Sequence, residues 1–449
     1  MECRSVGALF DAVSGSVREK GEGVEVVDEA RLRSTDMDIL AYNAAAAGDP
    51  EVKAAAQRII TAAACKCGVC PASIQGLYEA MGRGECGGFT VPAINLRGLT
   101  YDSARAVIRA AERNDTGAVI FEIAKSEIGY TDQRPSEYAS QVLAAAVKEG
   151  YGEPVFIQGD HFQVNAKKFA ADSAAEVDSL KALIKEAVDA MFYNIDIDAS
   201  TVVDLSKPSV DEQQRPNYET TATLTGYIRD IEPEGVTVSV GGEIGEVGGK
   251  NSTEEELRAF MDGFLRTTAG RFKGISKISI QTGTSHGGVV LPDGSIAQVK
   301  VDFDTIERLS EVARRDYGLA GVVQHGASTL PDDAFHIFPE RGTAEVHLAT
   351  GFQNIIYESE ALPSGLRDEM YRYLMDKHAD ERKEGQTEEQ FIYKTRKKAF
   401  GPFKAKLLSL DAERRAAIGR ELEERFDFLF KKLRAVGTAR YVKKYITGQ

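Results

Sequence analysis

Short apolar runs alternate with longer amphipathic stretches along the middle of this 449-residue chain. A run without strict alternation of apolar and polar residues is typical of a strand buried on both faces, so each run predicts a strand of a parallel sheet. The stretches between them, such as TYDSARAVIRAAERN, have the periodicity of helices. We expect eight strands, within residues 89–96, 117–124, 154–160, 190–198, 236–245, 276–283, 320–326 and 343–350.

Eight strand–helix units are the number found in a (βα)8 barrel, which typically takes about 250 residues. A doubly wound open sheet is the alternative, but that fold does not require polar residues at the end of nearly every strand, and this chain has them. We therefore predict an α/β protein with a TIM barrel over residues 86–357. Helical extensions are expected before it, over residues 1–85, and after it, over residues 358–449.

The C-terminal extension is rich in charged residues, as in TEEQFIYKTRKKAF. One interpretation is that its helices are solvated and pack on the barrel and on a partner subunit. The other is that one of its Arg or Lys side chains reaches the active site of a neighbouring subunit. In either case we expect a homodimer or a homotetramer.

Bulk properties exclude several classes of protein. The net charge of −14 argues against nucleic acid as the main partner. No apolar run approaches the roughly 18 residues that a membrane-spanning helix needs, and the N-terminus lacks the long apolar core of a signal peptide. The odd count of five cysteines suits a reducing compartment, so we expect a cytoplasmic protein.

Four of these cysteines fall close together, at Cys65, Cys67, Cys70 and Cys86. Their spacing matches no standard zinc or iron–sulfur pattern well. We expect them to be small buried hydrophobes in a helical segment. A second metal centre is the alternative.

Five of the six histidines lie at or near the carboxyl ends of predicted strands: His161, His286, His325, His336 and His347. Three of them have small neighbours, in QGDHF, GTSHGG and VQHGAS, and Glu243 stands in the similar segment VGGEIGEVGG. Carboxyl ends of barrel strands meet at one mouth, and imidazole and carboxylate groups bind Zn²⁺. A divalent metal site is therefore predicted. A structural Asp-His turn and a carboxylate bound to backbone are the simpler interpretations of His161 and Glu243 taken alone.

Glycines and short side chains follow two of these histidines, at Gly287, Gly288, Gly326, Ala327 and Ser328. Such residues let backbone N–H groups approach an anion closely, and the last loops of these barrels commonly bind phosphate. The alternative is that the glycines only form tight turns.

The motifs VPAIN, QGDH, DIDAS, GGEIGEVGG, GTSHGG and QHGAS together resemble the metal-dependent class II fructose-bisphosphate aldolases, including the related tagatose-bisphosphate aldolases. The match runs from about residue 85 to 357 with every motif in family order, and GEIGEVGG and GTSHG are its most specific parts. The resemblance implies a zinc-dependent enzyme of carbohydrate metabolism. Such an enzyme cleaves a ketose bisphosphate, foremost the glycolytic fructose 1,6-bisphosphate, reversibly to dihydroxyacetone phosphate and glyceraldehyde 3-phosphate.

The resemblance also implies roles for individual residues. Zinc ligands would be His161, His286 and His325, with Glu243 as an additional or alternate ligand. Asp160 would be the acid/base that handles the proton of the C4 hydroxyl. Substrate binding would involve Asn95, with the phosphate held at Gly287, Gly326, Ser328 and Thr350. A lysine Schiff base is then not required, although Lys125 could imitate one.

The chain departs from the family pattern in the walls of the substrate pocket. The family's N-I-D-T at the eighth strand is replaced by His347-Leu348-Ala349-Thr350. We predict that His347 contacts polar groups of the substrate without binding the metal; a hydrogen bond to a ligand carboxylate is the alternative role. The loop over residues 250–256, which offers glutamates only at its end, leaves open which residue, if any, is a second acid/base.

These departures leave two other functions open. The first is a metal-dependent sugar epimerase, isomerase or aldolase of different substrate on the same barrel, since enediolate chemistry serves those reactions too. The second is a non-catalytic homologue with an assembly role, although Asp160 and the predicted metal-binding histidines are all present in the sequence.

Overall fold

A computed structural model of the protein describes residues 2–21, 23–245, 249–283, 291 and 301–448. Eight parallel strands close into a barrel with helices between them, which confirms the predicted TIM barrel. Within the described residues the strands are β1 Val17–Lys20, β2 Gly23–Val26, β3 Pro71–Ala72, β4 Val91–Asn95, β5 Ile120–Ala124, β6 Val155–Gln163, β7 Asn194–Asp198, β8 Ser239–Glu243, β9 Lys277–Ile280, β10 Val322–Gln324 and β11 Glu345–Leu348.

The barrel is formed by β4 to β11, and it is closed by parallel pairing of β11 with β4, where Leu348 lies opposite Ile94. Each of the eight apolar runs identified in the sequence overlaps one barrel strand. Nearly every residue of these strands is buried, because helices cover the outside and side chains fill the inside.

Helices account for most of the remaining structure. The α-helices are Val6–Val13, Glu29–Arg31, Met37–Ala46, Pro50–Lys66, Gln75–Gly82, Thr100–Arg113, Lys125–Tyr130, Pro135–Glu149, Ala166–Ala171, Ser173–Asp189, Val210–Ile231, Glu254–Thr268, Phe303–Tyr317, Ile337–Glu340, Thr350–Glu358, Ser364–Lys377, Glu388–Thr395, Lys404–Leu408, Ala412–Lys432 and Ala439–Val442. Short 3₁₀ turns occupy Ser200–Val202, Ala327–Thr329, Ala379–Glu381 and Arg396–Ala399, and π-helical turns occupy Leu32–Asp36 and Lys443–Thr447. None of the helices in the described part of the chain is both long and apolar enough to span a bilayer.

The N-terminal extension closes the amino end of the barrel. Strand β3 pairs with the start of β6, and the helix Gln75–Gly82 follows it directly. Leu77, Tyr78 and Met81 of this helix are buried in an apolar cluster with the first residues of the barrel strands. The extension also contains an antiparallel hairpin of β1 and β2, which the helix-forming composition of the segment did not predict.

The C-terminal extension packs along the side of the barrel and reaches its mouth. The helix Ala412–Lys432 lies against Thr100–Arg113, where Glu423 pairs with Arg109 at 2.6 Å and with Arg113 at 2.5 Å. Nearer the mouth, Tyr357 Oη donates a hydrogen bond to the carbonyl oxygen of Arg396 at 2.6 Å. The extension is therefore anchored to the barrel at both places.

Two sequence predictions about individual residues are wrong. His336 does not end a strand: it is exposed and precedes the short helix Ile337–Glu340, in the connection between β10 and β11. Of the four clustered cysteines none is buried; Cys65 and Cys70 are exposed, and Cys67 and Cys86 are half-buried. The buried face of the helix Pro50–Lys66 carries residues such as Ile60 and Ala64, and the cysteines lie outside that face.

Candidate active site at the barrel mouth

A bulge in β6 brings two adjacent side chains to the same cavity. The parallel register with β7 shifts between Gly159 and Phe162, and His161 lies within the bulge at a φ of 41°. In a regular strand, successive side chains point to opposite faces. Because the bulge changes the direction of one of them, Asp160 and His161 both line a cavity of about 470 Å³ at the mouth of the barrel.

His161 is surrounded by carboxylates. Its Nδ1 lies 3.0 Å from Glu243 Oε2 and 3.4 Å from Asp198 Oδ2, at the ends of β8 and β7. Burial lowers the pKa of His161, but the negative charges of Asp160 and Glu243 outweigh this effect and hold the pKa well above its usual value. Burial raises the pKa of Glu243 to about 7. The pKa values of His161 and Glu243 therefore depend on burial and on the charges of the neighbouring groups.

His325 lies between two other imidazoles. Its ring centroid is 4.1 Å from that of His161 and 4.1 Å from that of His347. Its Nε2 lies 3.0 Å from Ser279 Oγ, which helps to fix the orientation of the ring. The structure thus places His325 beside His161. His286, Gly287 and Gly288 lie outside the described residues.

Two of the groups of donor atoms that could hold a divalent metal share His161. One group is Asp160, His161 and His325, and the other is His161, Asp198 and Glu243; in each group the ligand atoms lie within 4.8 Å of one another. Imidazole nitrogens and carboxylate oxygens are ligands that Zn²⁺ accepts. The residues present therefore fit the ion that the fold implies, with His161 common to both groups.

The predicted phosphate-binding residues lie on the side of the cavity formed by β10 and β11. Gly326, Ser328 and Thr350 all line it. Gly326 has a φ of 71°, and the turn after it lets Ser328 Oγ accept a hydrogen bond from Ala349 N at 2.6 Å. Thr350 begins the helix Thr350–Glu358. Asn95 also lines the cavity, and its Nδ2 donates to Glu127 Oε2 at 2.5 Å.

His347 lines the same cavity but is held by carboxylates. Its Nδ1 lies 2.9 Å from Glu122 Oε2 and 3.2 Å from Asp160 Oδ1, and its Nε2 lies 2.5 Å from Glu345 Oε1. Burial lowers the pKa of His347, but Glu122 and Asp160 outweigh it and hold the pKa well above the usual value. His347 is therefore linked directly to Asp160.

The interior of the barrel contains charged residues that the sequence analysis did not select. Lys277 is 1% exposed; its Nζ lies 2.5 Å from Glu345 Oε1 and 3.0 Å from Asp196 Oδ2. Tyr78 Oη also donates a hydrogen bond to Glu345. In the strand NIDID, polar residues alternate with isoleucines, and alternate positions share one face of a strand. This pattern could have identified two further residues of the barrel interior. Asp196 and Asp198 both follow this pattern and face inward.

Three cationic side chains also line the cavity: Arg97, Lys125 and Lys397. Lys125 Nζ donates a hydrogen bond to the carbonyl oxygen of Gln163 at 2.7 Å and lies 3.4 Å from Glu176. In the first turn of the helix Glu254–Thr268, Glu256 Oε2 accepts a hydrogen bond from Thr253 N at 2.8 Å. That glutamate therefore stabilises the start of its helix.

Comparison with a family model shows the family of the chain. Residues 77–406 match the family model of class II fructose-bisphosphate aldolase, which is well over half of the chain. The chain belongs to this family. As a class II aldolase it is a carbon–carbon lyase, and the predicted resemblance is confirmed. No curated protein matches the chain.

Two solved structures are similar to this chain at low sequence identity. A probable tagatose 6 phosphate kinase from Sinorhizobium meliloti 1021 is 17% identical, with a TM-score of 0.53 over 79% of this aldolase and 93% of that chain. Fructose-bisphosphate aldolase from Campylobacter jejuni is also 17% identical, with a TM-score of 0.48 over 82% of this aldolase and 98% of that chain. The similarity to the Sinorhizobium meliloti structure supports the fold alone.

Proposed function

We propose that this aldolase is zinc-dependent and reversibly cleaves a ketose bisphosphate, with fructose 1,6-bisphosphate as the first candidate. The products would be dihydroxyacetone phosphate and glyceraldehyde 3-phosphate. The observation that carries the proposal is the β6 bulge, which presents Asp160 and His161 together to one cavity beside His325 and Glu243. An acid/base and a metal-binding group are thus adjacent, as a cleavage reaction of this class requires.

The metal would be held by His161 and His325, with Glu243 as an additional or alternate ligand and His286 as the third imidazole expected from the sequence. When bound, the cation supplies Lewis-acid stabilisation of the negative charge that develops as the bond next to the ketone breaks. Asp198 lies 3.4 Å from His161 Nδ1 and would help to orient that ring.

Asp160 would act as the base during cleavage. Burial raises its pKa, but His161 and His347 outweigh burial and hold the pKa well below its usual range. It would take the proton of the C4 hydroxyl as the C3–C4 bond breaks. The bonding electrons then remain with the ketose fragment as an enediolate, and C4 becomes the aldehyde carbon. The enediolate gains a proton at C3 to become dihydroxyacetone phosphate. In the synthetic direction Asp160 returns the proton.

The substrate phosphate next to the ketone would lie against Gly326, Ser328 and Thr350. Backbone N–H groups at a glycine turn and at a helix start are suited to an anion. Asn95, which lines the same cavity, would contact the sugar hydroxyls.

A second candidate is an aldolase, epimerase or isomerase acting on a different sugar phosphate. The observation that favours it is the cluster around His347, where a bulky imidazole contacts Glu122 and Asp160. We also propose a cytoplasmic homo-oligomer; the five free cysteines are consistent with a reducing compartment.

A coupled assay for triose phosphates tests the proposed reaction. The substrates are fructose 1,6-bisphosphate, tagatose 1,6-bisphosphate and fructose 1-phosphate, each incubated with the purified protein. Triose phosphate release from a bisphosphate, at a rate proportional to enzyme concentration, is expected. Formation of an epimerised or isomerised sugar phosphate without any triose phosphate would favour the second candidate.

A further inference from the structure

One proton transfer of the proposed reaction has no residue assigned to it, because the enediolate must gain a proton at C3. A side chain that supplies this proton has to line the cavity in which the substrate binds. Among the described residues, the carboxyl groups that line the cavity belong to Glu122, Glu127 and Asp160. Asp160 already handles the proton of the C4 hydroxyl in the proposed reaction. The remaining candidates are therefore Glu122 and Glu127.

The segment 250–256 supplies no carboxyl group to the cavity in the described part of the chain. Glu254 Oε1 lies 2.8 Å from Arg258 Nη2, and Glu255 is exposed. Glu256 accepts a hydrogen bond from the backbone at the start of its own helix. The glutamates of this segment are therefore placed to stabilise the helix and to face solvent.

Both carboxyl oxygens of Glu127 are engaged by other groups of the protein. Its Oε1 accepts a hydrogen bond from Arg97 Nε at 2.7 Å. Its Oε2 accepts hydrogen bonds from Asn95 Nδ2 at 2.5 Å and from Ala124 N at 2.9 Å. Glu127 is therefore suited to hold its neighbours in place, whereas a proton donor needs an oxygen that can reach the substrate.

Glu122 differs from Glu127, because its side chain is held through one oxygen. Its Oε2 lies 2.9 Å from His347 Nδ1 and accepts a hydrogen bond from Gln158 Nε2 at 3.2 Å. Its Oε1 makes no hydrogen bond to any residue that the structure describes. Ala124 is the next residue of β5 on the same face of the strand, and both residues line the cavity. Because Ala124 has only a methyl group, the carboxyl group of Glu122 stays open to the cavity.

Glu122 and Asp160 are neighbours on adjacent strands. Strands β5 and β6 pair in parallel with Ala124 opposite Asp160, so Glu122 is attached one inward-facing position deeper in the barrel. His347 Nδ1 lies 2.9 Å from Glu122 Oε2 and 3.2 Å from Asp160 Oδ1. One oxygen of each carboxyl group lies within 4.8 Å of the other. Because C3 and C4 of a ketose are bonded to each other, two carboxyl groups at this spacing can serve the two carbons.

The surroundings of these two carboxyl groups move their pKa values apart. Burial raises the pKa of Glu122 to about 8, against the opposing charge of His347 and with a further rise from the charge of Asp160. Burial also raises the pKa of Asp160, but His161 and His347 outweigh burial and hold that pKa well below its usual range. Two titratable groups with separated pKa values can act as acid and base in one site. The separation agrees with different roles for the two groups.

We propose that Glu122 is a second catalytic acid/base of this aldolase and gives a proton to C3 of the enediolate, a role that rests on the proposed function. During cleavage Asp160 takes the proton of the C4 hydroxyl, the C3–C4 bond breaks, and the bonding electrons remain with the enediolate. Glu122 then transfers its proton to C3, which forms dihydroxyacetone phosphate and leaves Glu122 as a carboxylate. Exchange with solvent through the open cavity returns a proton to Glu122 and removes one from Asp160. In the synthetic direction the Glu122 carboxylate takes the proton from C3.

Hydrogen exchange in dihydroxyacetone phosphate separates the roles of the two carboxyl groups. Wild-type enzyme loaded with Zn²⁺ should exchange a hydrogen of the hydroxymethyl carbon with D₂O, and NMR measures the rate. Glu122→Gln keeps the shape of the side chain but lacks the acid, so exchange and ketose cleavage should both fall about 10²- to 10⁴-fold. Asp160→Asn should exchange within about tenfold of wild type although it fails in cleavage, because dihydroxyacetone phosphate has no C4 hydroxyl. Glu122→Asp, which keeps a carboxyl group, should retain more exchange than Glu122→Gln.

An oxidant that consumes the enediolate separates proton transfer from a structural role. Two equivalents of hexacyanoferrate(III) remove two electrons from the enediolate, which also loses a proton and becomes hydroxypyruvaldehyde phosphate. This route replaces the protonation that Glu122→Gln lacks, so the oxidant should raise its rate of ketose consumption at least about tenfold. Asp160→Asn is blocked before the bond breaks and should respond by less than about twofold. Zinc content and the unfolding midpoint of Glu122→Gln should match those of wild type.

The outcomes distinguish the role of Glu122 from the proposed reaction. Wild-type rates of exchange in Glu122→Gln would overturn the role of Glu122 and leave the reaction in place, and so would loss of zinc or an absent response to hexacyanoferrate(III). Exchange that depends on Glu122, without cleavage of any ketose bisphosphate, would keep the role of Glu122 and overturn that choice of substrate. Wild-type protein that neither exchanges dihydroxyacetone phosphate nor cleaves a ketose bisphosphate would overturn both.

Discussion

Two layers of the barrel interior contain buried charges, and they differ in how those charges are balanced. In the lower layer, Lys277 Nζ lies 2.5 Å from Glu345 and 3.0 Å from Asp196, so the protein supplies its own counter-ion. In the upper layer, imidazoles and carboxylates face one another around His161, which belongs to two of the groups in the described residues that could hold a metal ion. The lower layer balances its charges within the protein, whereas the side chains of the upper layer lie at an open cavity.

Position along the strands accounts for this difference. Lys277 is the first residue of β9, close to the end of the barrel that the helix Gln75–Gly82 closes, and Tyr78 of that helix contacts Glu345. His325 follows the last residue of β10 and lines the open cavity. His347 connects the layers, because its Nε2 lies 2.5 Å from Glu345 and its Nδ1 lies 3.2 Å from Asp160.

The largest effect is expected from Asp160→Asn in the upper layer. The substitution keeps the shape of the side chain but removes the base, so turnover should fall about 10²- to 10⁴-fold while metal content and the unfolding midpoint remain near wild type. Steady-state kinetics and elemental analysis measure these quantities. Normal turnover by the variant would assign the acid/base role elsewhere, with Glu243 as the next residue to test.

The substitution Lys277→Met, in the lower layer, should lower the unfolding free energy of the protein. The substitution removes the ammonium group that lies closest to Asp196 and pairs with Glu345, and loss of one partner of a buried ion pair should cost about 3–5 kcal/mol of unfolding free energy. Chemical denaturation measures this cost, and Lys398→Met, at an exposed ion pair, is the control with an effect below about 1 kcal/mol. A stability equal to wild type would show that the lower layer does not depend on its internal cation.

The same variant should show a characteristic pH dependence. Burial raises the pKa of Glu345, but Lys277 and His347 outweigh burial and hold it below the usual range. A carboxyl whose pKa is depressed by folding contributes stability above its unfolded pKa of about 4.3 and loses it in acid. The stability difference between wild type and Lys277→Met should therefore be largest near neutral pH and narrow below about pH 4.

A smaller effect is expected from His347→Asn. His347 is the residue that contacts both layers. We predict that metal content is kept and that the ratio of activity on fructose and tagatose bisphosphates shifts by about tenfold, because His347 faces the substrate cavity. Kinetics on both substrates measure the ratio. An equal fall on both, with weakened metal binding, would instead assign His347 the role of holding a ligand carboxylate.

The fold was predictable from the sequence because the patterns that indicate its strands and helices are local and are repeated along the chain. Each barrel strand coincides with an apolar run, and the helices between them follow their own periodicity. The prediction that His336 lies near a strand end was wrong, because this residue directly precedes the helix Ile337–Glu340. Cys65 was misplaced because helical composition alone does not reveal which face of a helix is buried.

The candidate site was predictable only in part. His161, His325 and Glu243 stand at strand ends with small neighbours, and that pattern is visible in the sequence. Asp198 could have been found from the alternation in NIDID. Lys397 could not, because it reaches the cavity through tertiary packing of a distant extension, and the β6 bulge depends on the register of neighbouring strands.

Metal content measured together with activity tests the central claim, that the upper layer is a zinc site used for aldol cleavage. Wild-type protein should bind zinc, lose triose phosphate release on chelation and recover it when Zn²⁺ is added. His161→Ala and His325→Ala should each lose both the metal and the activity. Full wild-type activity in excess chelator, with no metal detected by elemental analysis, would contradict the account.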